Sequence, residues 1–539
     1  MKKTYISIRT YLKVALVAPA ILLASCEVKD LQPQTAFADV LVYDSPSYIA
    51  LAVTGVYDAA QSGFYAGGQV RGYPFGAAHV QQGDTRAEDM VSVAAFYGIT
   101  YQNAFDATTP NNGFMWQTLY RLINRANLVI EGVQGAATRG VITQEQANIY
   151  EGECRFLRAL AHHQLLIHWA RPFSDNPSRA NGGVPYRTTG VSGGGDVETA
   201  IAMPRGTVAE DYNSLLEDLN FAETNLPATR PAGLQISRAT KAAAIALKTR
   251  IRLHQNNWEQ VLTEGNKLAP QATAPFTSPI GGRALTATPM GPFGAGNKNN
   301  TESIFSIEHN DVDNAGVNAA LPTMYSPTVR NGRAIVAISP LLWNQPWFLP
   351  TDIRKSAEMT DKDSPTGQGR GGIFTRKYQD VTNNTDNAPI IRYAEVLLNM
   401  AEASARLNGV NARAVALLNA VRNRAVTDAA LQFTVASFPT ATSLIQAILN
   451  ERRIEFIAEG LRWSDVHRLA QDPNFSVGGI PAKVDRTTSN FAPLYTGLPT
   501  TTLPLQAGIP YSDRRFLWPI PSEELANNAT LATQQNPGW

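Results

Sequence analysis

The feature that most restricts the fold of this 539-residue chain is a helical period of apolar residues in two separate blocks. Apolar side chains recurring at i, i+3, i+4 and i+7 lie on one face of an α-helix. The first block predicts helices over 47–60, 114–133, 144–169, 208–225 and 238–254. The second predicts helices over 391–407, 412–425 and 444–459, with a short piece after Gly460. Helix-end signals agree. Ser45 precedes Pro46, a residue suited to a first helical turn. Thr207 and Glu210 have capping-box spacing, and Gly409 follows Asn408 where a helix must stop. The stretches "RIRLHQNNWEQVLTEGNKLA" and "SARLNGVNARAVALLNAVR" both read as helix, polar turn, helix. They look like tetratricopeptide-type hairpins of irregular period, with an ordinary helical bundle as the alternative.

Two stretches break the period. Residues 61–109 are rich in glycine and aromatics, and 270–387 in Gly, Pro, Asn and Thr with short β-like runs such as "SIFSIEH". Such segments predict loops and short strands between helices, the usual location of binding residues. A net charge of +1 gives no reason to expect nucleic acid.

The start of the chain carries a different signal. Lys2, Lys3, Arg9 and Lys13 precede the apolar run 14–24, which is too short to span a bilayer but suits a secretion signal. The run ends in "LASC", which resembles the lipobox of bacterial lipoproteins, with Cys26 as the lipidated residue. The predicted signal is therefore 1–25. Cys154 then has no disulfide partner and is expected to be a small buried hydrophobe.

Chemistry-bearing motifs are sparse. "GVSGG" at 190–194 matches G-x-S-x-G, a pattern that needs a strand before it and a helix after it to be a nucleophile elbow; here the serine lies in a Gly/Thr/Ser run following Pro185 and reads as a flexible loop. His162 and His163 are adjacent, so they diverge by about 100° on a helix and are not an i, i+4 metal pair. No metal site and no cofactor is expected. The densest charged stretch is "ERRIEFIAEGLRWSDVHR", residues 451–468. Glu451, Glu455, Glu459 and Arg462 fall within about 80° of arc, beside an apolar stripe of Ala447, Ile454, Ile457 and Leu461. Arg452, Arg453, Arg462 and Arg468 match the carboxylates in number. Arginine pairing lowers a carboxylate's pKa, the reverse of what a general acid needs. The expectation is a charge network joining helices.

The same stretch carries a family likeness. "AILNERRIEFIAEGLRWSDVHRL" resembles the C-terminal signature of the SusD/RagB family, as do "PIIRYAEVLLNMAEASARLNG", "ALLNAVRNRA" and "FLWPIPSEEL…QQNPGW". "WQTLYRLINRANLVIEG" and "ECRFLRALAHHQLLIHWARPF…GGVPY" resemble its N-terminal helices. The resemblance implies a mainly α fold: four tetratricopeptide-like helix pairs forming a right-handed scaffold, with a loop-rich variable subdomain containing short strands. It implies an N-terminal region 26–269, a variable subdomain 270–388 and a C-terminal region 389–539, intertwined as one unit. It also implies a lipid-anchored protein facing outward from the outer membrane. Such a protein caps a SusC-like TonB-dependent transporter and captures oligosaccharides, or peptides in the RagB branch, without being an enzyme.

Sugar rings need a flat aromatic for stacking and polar groups at their rim. Trp116, Trp169, Trp463, Trp518 and Trp539 belong to the family-like motifs, and Trp258 sits at a helix-pair turn. That leaves Trp343 and Trp347 in "SPLLWNQPWFLP", with Asn344 and Gln345 beside them. A second candidate group is Tyr65, Tyr73, Phe96, Tyr97 and Tyr101, with Asp84, Arg86 and Asn103 interleaved. The expected ligand contacts are Trp343, Trp347, Tyr97, Tyr101, Arg86 and Asn103. A surface glycosidase is the enzyme alternative; it would need a carboxylate pair such as Glu302 or Glu308 with Asp311 or Asp313.

Overall fold

The computed structural model describes residues 39–65, 68–95, 97–294, 296 and 298–539, with the backbone alone at 39–40 and 63–71. The predicted signal, Cys26, Phe96 and the side chain of Tyr65 lie outside these residues. Eleven helices carry the argument: α1 (Pro46–Gln61), α2 (Ala78–Arg86), α3 (Pro110–Thr138), α4 (Gln144–Trp169), α5 (Val208–Asn225), α6 (Lys241–His254), α7 (Trp258–Leu268), α8 (Tyr393–Asn408), α9 (Ala412–Arg422), α10 (Ala441–Glu455) and α11 (Leu461–Arg468).

The fold is mainly α, and its helices stack in chain order. α1 packs on α3, α3 on α4, α4 on α5, α5 on α6, α6 on α7, α7 on α8, and α8 on both α9 and α10. The caps follow the sequence signals. The Thr207 hydroxyl accepts from Glu210 N at 3.1 Å, and the Glu210 carboxylate accepts from Thr207 N at 2.8 Å. Between α6 and α7 the chain turns at Asn256, with φ of 56°, and Asn257 then caps α7. α7 and α8 meet at Gly265, where a β-carbon would lie 2.4 Å from Met400 Cγ. One continuous apolar core runs through both helical blocks and includes Cys154.

The irregular segments tie the two blocks together. β1 (Met90–Ser92), β3 (Val336–Ile338), β5 (Ile373–Thr375) and β4 (Thr360–Lys362) form an antiparallel sheet in the order β1-β3-β5-β4. β2 (Ser303–Ile307) pairs antiparallel with β6 (Ala388–Arg392). The boundary drawn at 388/389 therefore falls inside a strand. α11 packs against α2, bringing the C-terminal motif onto the N-terminal block. This crossing has no room for side chains: a β-carbon on Gly83 would lie 2.1 Å from the Gly460 carbonyl oxygen.

Several elements differ from the sequence expectation: a helix over Gly194–Ala202 begins within the stretch read as a loop, α3 is longer at both ends than 114–133, and two further differences bear on the site. α2 lies in a stretch read as irregular, because all nine of its residues are buried and most are polar, leaving no apolar stripe. α10 ends at Glu455, not Glu459. The chain turns through Ala458 and Gly460, both at positive φ (62° and 75°), before α11 begins.

Candidate functional site

The charged stretch is interior. Glu455 at the end of α10 and Glu459 in the turn that follows it face Arg392 at the end of β6. Arg392 donates to Glu455 at 2.9 Å and to Glu459 at 2.8 Å, and it also binds Glu302 at the start of β2. Arg424 bridges Glu302 and Glu455. Arg354 joins Glu451 at 2.6 Å, Glu455 at 3.1 Å and Asp352 at 2.7 Å. Lys377 binds Glu459 at 2.6 Å. Burial alone would raise Glu455, but Arg424, Arg392 and Arg354 outweigh it and hold the carboxyl at about 2. Glu302 is also lowered, its two arginines overcoming burial. A carboxyl held ionised by several arginines has no proton to give, and Glu302 is enclosed among them. The network locks β2, β6, α10 and the 352–377 segment together.

Four of the six expected ligand contacts are interior as well. Tyr97 is 1% exposed; Tyr101 is 0% exposed and its hydroxyl donates to the Val484 carbonyl at 2.7 Å. Arg86 is 0% exposed, its guanidinium 3.7 Å from the Trp463 ring centre, and it donates to the Phe516 carbonyl at 2.7 Å. Asn103 is 2% exposed and sits at φ 54° in a turn after a short helix. All four are buried and present no surface, and Tyr101 and Arg86 join the N-terminal excursion to the C-terminal region. The expectation that they meet ligand is corrected accordingly. Tyr73, from the same group, is buried with its hydroxyl accepting from Gln82.

Trp343 and Trp347 differ from these: both are half-buried, packed on the core from one side. Their segment leaves β3 through Ser339, whose hydroxyl caps the helical turn Pro340–Trp343. Trp343 meets Phe348 edge-on at 5.9 Å and Tyr495 edge-on at 6.1 Å between ring centres. The Lys355 ammonium lies 5.1 Å from the Trp343 ring centre and donates to the Trp343 and Phe348 carbonyls at 2.7 and 2.6 Å. Burial lowers Lys355 to about 8. Trp347 lies 5.3 Å from the Arg453 guanidinium, which is bound to Asp89. Edge contacts and Lys355 thus hold the Trp343 ring, and Arg453 lies against that of Trp347; rings held in place are what a stacking platform requires. Asn344 and Gln345 are used internally. Asn344 donates to the Leu494 carbonyl at 2.7 Å, and Gln345 to the Leu341 carbonyl at 2.9 Å. The residues missed from sequence are Lys355 and Tyr495, which carry no local motif and reach Trp343 only through the fold.

Among the described residues no group of three or more His, Cys, Asp or Glu is placed to hold a metal ion. No helix of those residues is long and apolar enough to cross a membrane.

Two family models match this chain. The SusD family model matches residues 354–539, and the model described as "starch-binding associating with outer membrane" matches residues 32–253. SusD-like protein P38 of Formosa agariphila is 24% identical over 488 residues, covering 83% of this chain and 88% of the relative. SusD-like protein P25 of the same organism is 23% identical over 452 residues, covering 74% and 79%. The crystal structure of a SusD superfamily protein from Bacteroides fragilis is 27% identical with a TM-score of 0.73, covering 91% of this chain and 99% of that one. A SusD-like carbohydrate binding protein, also from Bacteroides fragilis, shares the fold at 20% identity and a TM-score of 0.67, covering 91% and 99%. With matches that bracket both helical blocks and a shared architecture over nine-tenths of its length, the chain belongs to the SusD/RagB family.

Proposed function

We propose that this protein is a non-catalytic, lipid-anchored protein of the outer membrane that captures oligosaccharides at the cell surface. It passes them to a SusC-like TonB-dependent transporter, on which it sits as a lid. Three lines support the reading: the family description of starch binding in association with the outer membrane, the sugar-binding relatives, and the lipobox-like "LASC" before Cys26. The observation that carries it is the pair Trp343 and Trp347, half-exposed rings in the loop-rich segment. One face of a sugar ring is apolar C–H, and such rings offer it a flat partner.

A glycan and peptide panel probed with the purified protein tests the reading. Selective retention of one glycan class is expected, with no shortening of the bound chain. Retention of peptides alone would replace the ligand assignment, and release of shorter sugars would make the protein a glycosidase. Cys26→Ala is expected to release the protein from the outer-membrane fraction; unchanged membrane retention would place the anchor elsewhere.

A further inference from the structure

Arg370 and Arg486 are half-buried neighbours beside the end of β1, and neither belongs to the charge network or to the tryptophan segment. Arg486 donates its Nε to the Ser92 carbonyl at 3.0 Å. Its guanidinium rests against the backbone of Gly98, where a β-carbon would lie 2.9 Å from Cζ. Arg370 donates to the Thr488 carbonyl at 2.8 Å, to the Arg486 carbonyl at 2.9 Å and to the Val93 carbonyl. Arg370 itself takes a φ of 50°, a left-handed backbone that an arginine rarely adopts. The fold thus holds it in a strained conformation with its guanidinium on the backbone of the second arginine, and strain of this kind gathers at functional sites.

The two charges are not matched. Among the described residues neither guanidinium has a carboxylate at ion-pair distance, unlike the arginines around Glu455. Burial lowers Arg370, the positive charge of Arg486 adds to this, and Asp485 opposes it. Asp485 forms no ion pair, and its Oδ1 accepts from the Thr487 amide and hydroxyl at 2.8 Å each. The three carbonyls satisfy the hydrogen bonds of Arg370 without cancelling its charge. Arg486 has two nitrogens to spare: Nη1 and Nη2 make no hydrogen bond among the described residues and are not buried. That edge of a guanidinium takes two oxygens of one anion through parallel N–H···O bonds.

We propose that Arg486, with the charge of Arg370 beside it, binds an oxyanion of the carboxylate or sulfate class, two of its oxygens accepting from Nη1 and Nη2. A sugar acid and free inorganic sulfate both present such a group. The sugar acid rests on the oligosaccharide reading, and the loop favours it: residues 486–495 carry Arg486 at one end and Tyr495, edge-on to Trp343, at the other. Phenylglyoxal, which attacks a free guanidinium edge, tests the site on the wild-type protein, with modification mapped to each arginine by mass spectrometry. The arms are glucuronate, sulfate, glucose and sodium chloride at matched ionic strength. Two charge-assisted hydrogen bonds at a half-buried site hold a simple anion at about 10 mM, so about 50 mM glucuronate or sulfate is expected to slow modification of Arg486 about fivefold. Glucose and sodium chloride are expected to leave its rate unchanged, and exposed Arg121 to react at one rate throughout. Stronger protection by glucuronate assigns the site to a sugar acid; equal or stronger protection by sulfate assigns it to the free anion. An Arg486 that does not react without anion, equal rates in all four arms, or the same protection at Arg121 would overturn the proposal. Retention of a neutral glycan with Arg486 unprotected would sink this site alone, and protection by sulfate in a protein that retains no glycan would sink only the oligosaccharide reading.

Discussion

The charge network around Glu455 and the tryptophan segment at 340–348 are held by the same kind of contact and do opposite things with it. Both set cationic side chains against their central residues: Arg392, Arg424 and Arg354 against Glu455, Lys355 and Arg453 against the two tryptophans. In the network every charged side chain is at most 5% exposed and each is ion-paired, five carboxylates against four cations, so no group is left to act on a ligand. In the tryptophan segment edge-on rings and Lys355 hold Trp343, Arg453 lies against Trp347, and both indoles remain only half-buried. A dense group of acids and bases therefore marks the scaffold here, while the sparse aromatic pair is the surface proposed for binding.

The comparison is broken most severely by acid. All seven histidines are buried, His79, His162, His163, His168, His254, His309 and His467. Burial lowers each of them, to about 3 for His79 and His162 and about 4 for His309 and His467. A ring whose folded pKa lies below its unfolded value of about 6.5 stays neutral in the fold while the unfolded chain takes up a proton. Stability is then lost as pH falls from 6.5 toward the folded value, by about 1.4 kcal/mol per pH unit for each such histidine. Asp84 and Asp211, raised to about 8 by burial, act in the opposite sense over the same range, and Asp58, Asp89, Asp386 and Glu451, also raised by burial, add to them at its lower end; the seven histidines outnumber these six. Cooperative loss of helical circular dichroism between pH 6 and 4 is the expected outcome. A flat melting temperature over that interval would mean that the rings are charged in the fold.

The next largest effect belongs to Glu455. Glu455→Gln removes one side of a buried network and leaves Arg392 and Arg424 short of a counter-charge, costing roughly 3–5 kcal/mol. Glu308→Gln, on an exposed side chain, is expected to change stability by less than about 0.5 kcal/mol. Denaturant titration of the two variants side by side sharpens the contrast between matched interior charge and surface charge. Equal losses in both would contradict it.

Tyr101→Phe gives the smallest effect. It removes only the hydroxyl that donates to the Val484 carbonyl, so a loss of about 1 kcal/mol with unchanged ligand affinity is expected. A selective loss of affinity would return Tyr101 to the binding surface.

These cases show where the sequence was legible. The amphipathic helices were, because their period is local: α4 and α5 begin and end where the pattern and the Thr207–Glu210 capping box put them. That the charges of the 451–468 stretch are ion-paired scaffold was legible, but the partners were not: Glu451, Glu455 and Glu459 pair with Arg354, Arg392, Arg424 and Lys377, while Arg453 and Arg462 of the stretch pair with Glu88 and Asp89. α2 was not, because Gln81, Asp84 and Arg86 find their partners far along the chain. Arg86 reaches Phe516, and Asp84 reaches Tyr325 and Gly460. The candidate contacts at 86–103 failed for the same reason. A tyrosine in a glycine-rich stretch reads the same whether it faces water or Val484, and only the closure of α11 onto α2 decides between them.

The central claim is that the half-open tryptophans bind sugar and the enclosed charges do not. Calorimetric titration of the glycan selected by the wild-type protein into the wild type, Trp343→Ala, Trp347→Ala and Glu455→Gln tests it most directly. Each tryptophan variant is expected to lose at least about tenfold in affinity, from lost ring area and its aromatic contact. Because both rings are only half-buried, the accompanying stability loss should be about 2 kcal/mol, below that of a fully buried aromatic. Folded Glu455→Gln is expected to bind as the wild type does. Wild-type affinity in both tryptophan variants, or a selective binding defect in Glu455→Gln, would contradict the account.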